Sequence, residues 1–407
     1  MCRMLKGEIR GVVKRAVVIG NGVAGAENQC IGLARALGLS DRYTLYRVRR
    51  PTGGVNKYLR WLPVPVHQKV DDFSRQISAG GWLKSKKVVP VSAQVNGTSD
   101  SIMEADAERI GYMAREDFHK DGPLLVVASG RDTAPVASSI KQLAAENVFV
   151  AQIQHPRMKL DWFDLVITPR HDYFSLTPQG RKQIPWFLQR WITPEPPDKH
   201  VFLTIGALHH ADPPALQIAA ASWHAKLAHL KKPLLVVNIG GPACHCKYGE
   251  NIAKQIADYL QNVLWSCGSV RISFSRRTPQ NVSNIIERKL RKHPKVCIWD
   301  GVGKNPHLAN LAWADAFVIT ADSVSMLSEA CSTGKPVYVV GAELCTWKFA
   351  DFHEFLLKRG ATRIFTGRED ISVTWSYPPL NDTVEAANRL REALAEKGWI
   401  VKAQDSA

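Results

Sequence analysis

The hydrophobic positions of this chain fall into short, continuous, β-branched runs that end in small or polar residues. In the first half these runs are Ala16–Gly20, Tyr43–Val48, Leu124–Ser129, Val148–Gln154 and Leu165–Thr168. In the second half they are Val201–Ile205, Leu234–Gly240, Val270–Ser275, Val296–Trp299, Ala316–Thr320 and Val337–Val340. A strand that is apolar at every position is buried on both faces, as in a parallel sheet covered by helices. Helical periodicity separates the runs over Ala26–Leu37, Ala134–Ala145, Gly249–Ser266 and Ser325–Cys331. The pattern predicts an α/β fold of two Rossmann-like domains whose parallel sheets face each other across a cleft. Two strings recur across the halves, Pro123-Leu-Leu-Val-Val as Pro233-Leu-Leu-Val-Val and Leu165-Val-Ile-Thr as Phe317-Val-Ile-Thr, which fits two copies of one architecture.

The boundaries follow from composition. A basic segment occupies residues 1–14, a first domain residues 15–192, and a proline-rich linker residues 193–200. The second domain is expected over 201–381. A last helical pattern, Asp382–Lys397, has no strand after it, and the tail 382–407 is expected to cross back to brace the first domain. Residues 49–87 differ in texture, with Trp61 and Trp82 among Lys57, Arg60, Lys69, Arg75, Lys84, Lys86 and Lys87. Tryptophans interleaved with cations suit a membrane interface or a protein-docking surface. They equally suit an insertion that packs its tryptophans on the first sheet.

At 407 residues the chain fits two domains, and 45% hydrophobic with 22% charged residues is globular composition. No run approaches the ~18–20 apolar residues of a membrane-spanning helix. The basic start is short, lacks serine and runs into the strand at Ala16, so the chain reads as cytosolic rather than imported. A net charge of +16 favours anionic partners such as phosphates, lipid headgroups or acidic proteins. Charge spread along the chain with no DNA- or RNA-binding motif argues against nucleic acid. Several of the eight cysteines sit in apolar strand or helix patterns, which suits reduced thiols.

Gly20-Asn21-Gly22-Val23-Ala24-Gly25 matches G-x-G-x-x-G between a strand and a helix, where backbone amides can receive a phosphate. A dinucleotide site also needs an acid at the end of the second strand to hold the ribose diol. That strand ends in Arg47 and Val48 followed by Arg49 and Arg50, so NAD is not expected. The turn remains an anion acceptor or a tight strand-to-helix connection. Cys244-His245-Cys246 lacks the further donors a zinc site needs and reads as a loop with incidental thiols. His155 and His171 follow first-half strands and are the best candidates for a base if an acceptor hydroxyl had to be deprotonated.

In Thr320–Val340 a strand ends in small polar residues, a short helix carries Ser325, Ser328 and Glu329, and Gly334-Lys335-Pro336 leads into the next strand. This stretch resembles the donor-nucleotide segment of GT-B glycosyltransferases. The resemblance implies that Ser323, Ser325 and Ser328 lie near a diphosphate and that Glu329 accepts the ribose hydroxyls. Asn238-Ile-Gly-Gly-Pro242 resembles the glycine turn, here Gly240 and Gly241, that opens the second domain of such enzymes. With Gly20, Gly22 and Gly25 these residues form the candidate nucleotide site. No catalytic residue, metal ligand or bound cofactor is assigned.

Longer strings carry a closer likeness. Lys14–Gly22, Glu27–Asp41, Glu146–Arg157, Val166–Tyr173, Ala321–Glu343 and Trp375–Thr383 resemble the plant elongated-mitochondria fission family, and the likeness runs from about Arg15 to Trp399. It implies a peripheral protein on the cytosolic face of the mitochondrial outer membrane, also present in the cytosol, that recruits a dynamin-related GTPase to division sites. An anionic membrane surface would then be a second partner. The competing reading is an active GT-B enzyme taking a nucleotide or nucleotide-sugar. A Glu329 buried in an ion pair, with the cleft filled by side chains, would count against turnover.

Overall fold

The computed structural model describes residues 9–48, 103–243, 245–246 and 249–402. The basic, tryptophan-rich stretch 49–87 lies outside the described residues. The chain divides into two compact units, Met1–Ile167 with Leu390–Ala407, and Thr168–Arg389.

In the first unit the strands are β1 (Gly11–Val13), β2 (Ala16–Gly20), β3 (Tyr43–Arg47), β4 (Met103–Glu104), β5 (Leu124–Ser129), β6 (Val148–Ile153) and β7 (Leu165–Pro169). Within this unit the sheet runs β4-β3-β2-β5-β6-β7, every pair parallel. Every residue of β2, β5, β6 and β7 is buried, as their unbroken apolar runs require when helices cover both faces. Helix Ala24–Ala36 leaves β2 and buries Cys30, Leu33 and Ala34. Helix Ala107–Glu116 starts where the Asp106 carboxylate accepts from the Glu108 and Arg109 amides, satisfying two donors that a helix start leaves open.

In the second unit a short strand, β8 (Val201–Thr204), precedes the sheet strands. These are β9 (Leu234–Ile239), β10 (Ser269–Phe274), β11 (Val296–Ile298), β12 (Ala316–Thr320), β13 (Val337–Val340) and β14 (Thr362–Ile364). They form a parallel sheet in the order β11-β10-β9-β12-β13-β14. One side packs Leu235, Val237 and Val318 against helices Glu250–Val263 and Gln280–Leu290 through Ile256, Leu260 and Ile286. The other packs Val236, Phe317 and Val339 against Leu327, Phe352 and Leu356.

Two expectations are corrected. Trp399–Val401 is a strand, β15, and it pairs in parallel with β1 through Gly11–Trp399, Val12–Ile400 and Val13–Val401. Three residues are too few to register as a hydrophobic period, and only a partner strand far along the chain makes them extended. The second correction concerns thiols: Cys246 and Cys345 are joined in a disulfide across 99 positions, while Cys30, Cys267, Cys297 and Cys331 are free. Spacing alone cannot place two such cysteines together.

Candidate functional site

Each unit carries one of the glycine turns picked out by the sequence, and each turn is closed from within by a carboxylate and an arginine. In the first unit β2 ends at Gly20 and the chain turns through Gly22, whose φ of +78° a residue with a Cβ rarely adopts. The Gly22 amide donates to Glu27 Oε1 at 2.8 Å. The same carboxylate takes both arms of Arg47, at 2.7 and 2.7 Å. A Cβ on Gly20 would stand 2.4 Å from Glu27 Oε1, so the glycine makes room for this buried carboxylate. Hydrogen bonding to Glu27 raises the Arg47 guanidinium pKa further, despite partial burial. Arg47 stands at the end of β3, where a dinucleotide site would carry its acid. Gly25 lies in the first turn of helix Ala24–Ala36.

In the second unit β9 runs into Gly240 and Gly241. Gly240 donates to Thr320 Oγ1 at 2.7 Å, and Gly241 to Asp322 Oδ2 at 3.1 Å. Asp322, whose side chain is 0% exposed, also accepts from Thr320 Oγ1 at 2.7 Å and from Arg277 Nη2 at 2.7 Å. Added Cβ atoms would meet the Asp322 carboxylate at 2.2 Å from Gly240 and the Arg277 carbonyl at 2.0 Å from Gly241. The amides that a phosphate would use in such a turn are directed at the protein's own side chains. Glu27, Arg47, Asp322 and Arg277 were not among the residues picked from the sequence. Arg47 at an acid's usual position was the available signal for one pair.

The helix Val324–Cys331 brings the remaining candidates together. Ser323 caps it, its Oγ accepting from Met326 N at 3.4 Å. Ser328 accepts from Ala207 N at 2.9 Å and donates to the Val324 carbonyl at 2.8 Å, so its hydroxyl ties the helix to the loop after β8. Ser325 is half-buried. Glu329, 5% exposed, meets His307 Nε2 at 2.7 Å. Burial opposes charge on both, yet the mutual attraction wins: the imidazole pKa is raised and the carboxyl pKa lowered. His209 and His210 add to the pull on Glu329. Burial depresses the His209 pKa against the attraction of Glu329, and its Nδ1 is buried with no hydrogen-bond partner among the described residues. This cluster of one carboxylate and three imidazoles was not read from the sequence, because His209, His307 and Glu329 come from three separate segments.

The two histidines proposed as bases are both buried. His155 Nδ1 accepts from the Arg157 amide at 3.1 Å. His171 packs on Phe349 and Phe352, with centroids 6.3 and 5.4 Å away, and burial pushes its pKa down to about 4. Its neighbour Asp172 is held down at about 2, where Lys348 and hydrogen bonds overcome burial. Cys244 lies outside the described residues, and Cys246 is committed to its disulfide. Among the described residues no group of three His, Cys, Asp or Glu side chains could hold a metal ion.

Two parallel α/β units with glycine turns after their apolar strands define a chain of the GT-B-like class. The fold is similar to that of UDP-GlcNAc 2-epimerase from Methanocaldococcus jannaschii, with a TM-score of 0.51 and 12% identity, covering 94% of this chain and 99% of that one. The chain belongs to the mitochondrial fission ELM1 family, whose model matches residues 24–394. It is 56% identical over 405 residues to mitochondrial fission protein ELM1 of Arabidopsis thaliana, covering 98% of this chain and 95% of that protein. It is also 32% identical over 294 residues to the uncharacterized protein RP120 of Rickettsia prowazekii, covering 67% of this chain and 80% of the relative.

Proposed function

We propose that this protein is a fission factor held peripherally on the cytosolic face of the mitochondrial outer membrane, where it recruits a dynamin-related GTPase to division sites. The observation that carries the reading is family membership across residues 24–394. Two features support a platform over a catalyst. Both glycine turns are occupied by Glu27–Arg47 and Asp322–Arg277, so a phosphate entering either would have to displace a short, charge-assisted contact. Glu329 is likewise engaged by His307. Among the described residues no helix is long and apolar enough to cross a membrane, which is compatible with peripheral attachment. The net charge of +16 suits an anionic leaflet or an acidic partner. The test is imaging of a tagged GTPase in cells lacking this chain. It should remain in the cytosol while mitochondria elongate, and both effects should reverse on re-expression. Normal arrival of the GTPase without this chain would refute the recruitment role.

A second reading, a GT-B glycosyltransferase or nucleotide-gated adaptor, draws on the buried Nδ1 of His209 beside Glu329, which has no hydrogen-bond partner among the described residues. Calorimetric titration with UDP, GDP and their sugar conjugates separates the two. Micromolar binding abolished by Glu329→Ala would establish a live nucleotide pocket, and no heat with any ligand would leave a glycosyltransferase shell reused for recruitment.

A further inference from the structure

Residues 173–194 contain no aspartate or glutamate, and they carry Arg181, Lys182 and Arg190. Within this stretch the chain builds a rigid mount. Thr177 accepts from the Gly180 amide at 3.0 Å and starts the short helix Pro178–Lys182. Gly180 lies so close to the preceding turn that a Cβ there would fall 1.9 Å from the Phe174 carbonyl. Ile184 is buried and anchors the far side. The Gln189 side-chain amide donates back to the carbonyls of Arg181 and Ile184, at 3.4 and 3.3 Å. Between these anchors sits one turn of 3₁₀ helix, Trp186–Leu188.

That turn holds its apolar side chains outward. Trp186 is 84% exposed, Phe187 59% and Leu188 36%. The two rings meet edge to face with centroids 6.0 Å apart, so they form one patch. Single exposed apolar residues are ordinary, but three consecutive ones on a fixed mount leave apolar surface in water that a partner can cover. A protein hot spot seats its aromatic anchors in pockets. Here the aromatics stand exposed on a surface turn and are bracketed by exposed Arg181, Lys182 and Arg190, the arrangement that seats rings at headgroup depth and cations against lipid phosphates.

We infer that Trp186, Phe187 and Leu188, flanked by Arg181, Lys182 and Arg190, insert into the headgroup–acyl boundary of an anionic phospholipid leaflet and attach the chain to it. This rests on the peripheral attachment proposed above and names the surface responsible.

The test is sedimentation of the full chain with phosphatidylcholine vesicles with and without an anionic phospholipid. Wild type should bind the anionic vesicles and weaken with salt. The double variant Trp186→Ala/Phe187→Ala should bind at least about tenfold more weakly, having lost two interfacial rings. Replacing Arg181, Lys182 and Arg190 by glutamine should cost about a hundredfold, since each cation near such a leaflet contributes on the order of fivefold. Phe187→Trp should retain wild-type binding, and thermal unfolding of every variant should match wild type because the side chains are exposed. Bromine on the acyl chains should quench wild-type tryptophan fluorescence more than that of Trp186→Phe. Unchanged binding by the double variant, with wild type bound, would overturn this surface while leaving peripheral attachment intact. No binding of wild type to any vesicle would overturn this lipid contact and leave peripheral attachment to a protein partner. A double variant that binds vesicles normally but no longer captures the GTPase would make the patch a protein contact and overturn the inference.

Discussion

Removing the Glu27 carboxylate tests whether the first glycine turn is held by the protein itself. In Glu27→Ala, the Gly22 amide loses its acceptor and Arg47 loses two contacts of 2.7 Å. Charge-assisted hydrogen bonds contribute about 1.5–3 kcal/mol each, and breaking a buried ion pair costs about 3–5 kcal/mol. Both figures must be reduced, because the Arg47 side chain is 34% exposed and its orphaned guanidinium can turn to water. A net loss of about 2–3 kcal/mol is expected. Glu27→Gln keeps an acceptor for Gly22 and should lose roughly half of that. With two units in the chain, a single unfolding free energy is ill defined, so the assay is native-state hydrogen exchange at the β2 and β3 amides in increasing urea. A double-mutant cycle with Arg47→Met should return a coupling of about 1.5 kcal/mol. A loss below about 0.5 kcal/mol in Glu27→Ala, or no coupling in the cycle, would refute the reasoning and leave the turn free to accept an external anion.

The Glu329–His307 pair should mark its own pH window. The carboxyl pKa is depressed below its ordinary 4.5, so that contribution exists above 4.5 and is lost as pH falls through the lowered value. The imidazole pKa is raised above 6.5, so its contribution is complete below 6.5 and is lost as pH rises through the raised value. The stability difference between wild type and Glu329→Gln, read from native-state hydrogen exchange at the amides of helix Val324–Cys331, should therefore peak between those two pH values and shrink on either side; a flat difference would sink the pairing. Asp382 accepts from the Ile205 and Gly206 amides at 2.7 and 2.9 Å while nearly fully buried. Asp382→Ala should cost about 3 kcal/mol and deprotect those two amides to exchange, and a neutral substitution would show that water replaces the carboxylate.

The central strands of both sheets were legible as unbroken apolar runs, and their ends fell within a residue or two of expectation. A run such as Leu124–Ser129 or Ala316–Thr320 has no polar face to turn outward, so it can only lie inside a covered sheet. Helices such as Ala24–Ala36 and Glu250–Val263 were legible through their period, while Gln280–Leu290 and Trp347–Lys358 were not read from the sequence. The long strings shared with a fission family told more about role than any geometry did, because a GT-B-like frame hosts many activities. Two short strands carried too little pattern to be seen, although β11, also three residues at a sheet edge, was: β14 and β15 have three residues each, and they exist because a neighbour supplies their hydrogen bonds. The occupants of the turns were equally hidden. The glycines could be read as room for something close, yet what fills that room is Glu27 with Arg47 from 20 positions away, and Asp322 with Arg277 from 45. The disulfide between Cys246 and Cys345 and the meeting of His307 with Glu329 belong to the same kind. Local order is written in neighbouring side chains, whereas polar partners are chosen by the path of the whole chain, and only the folded structure brings those partners within bonding distance.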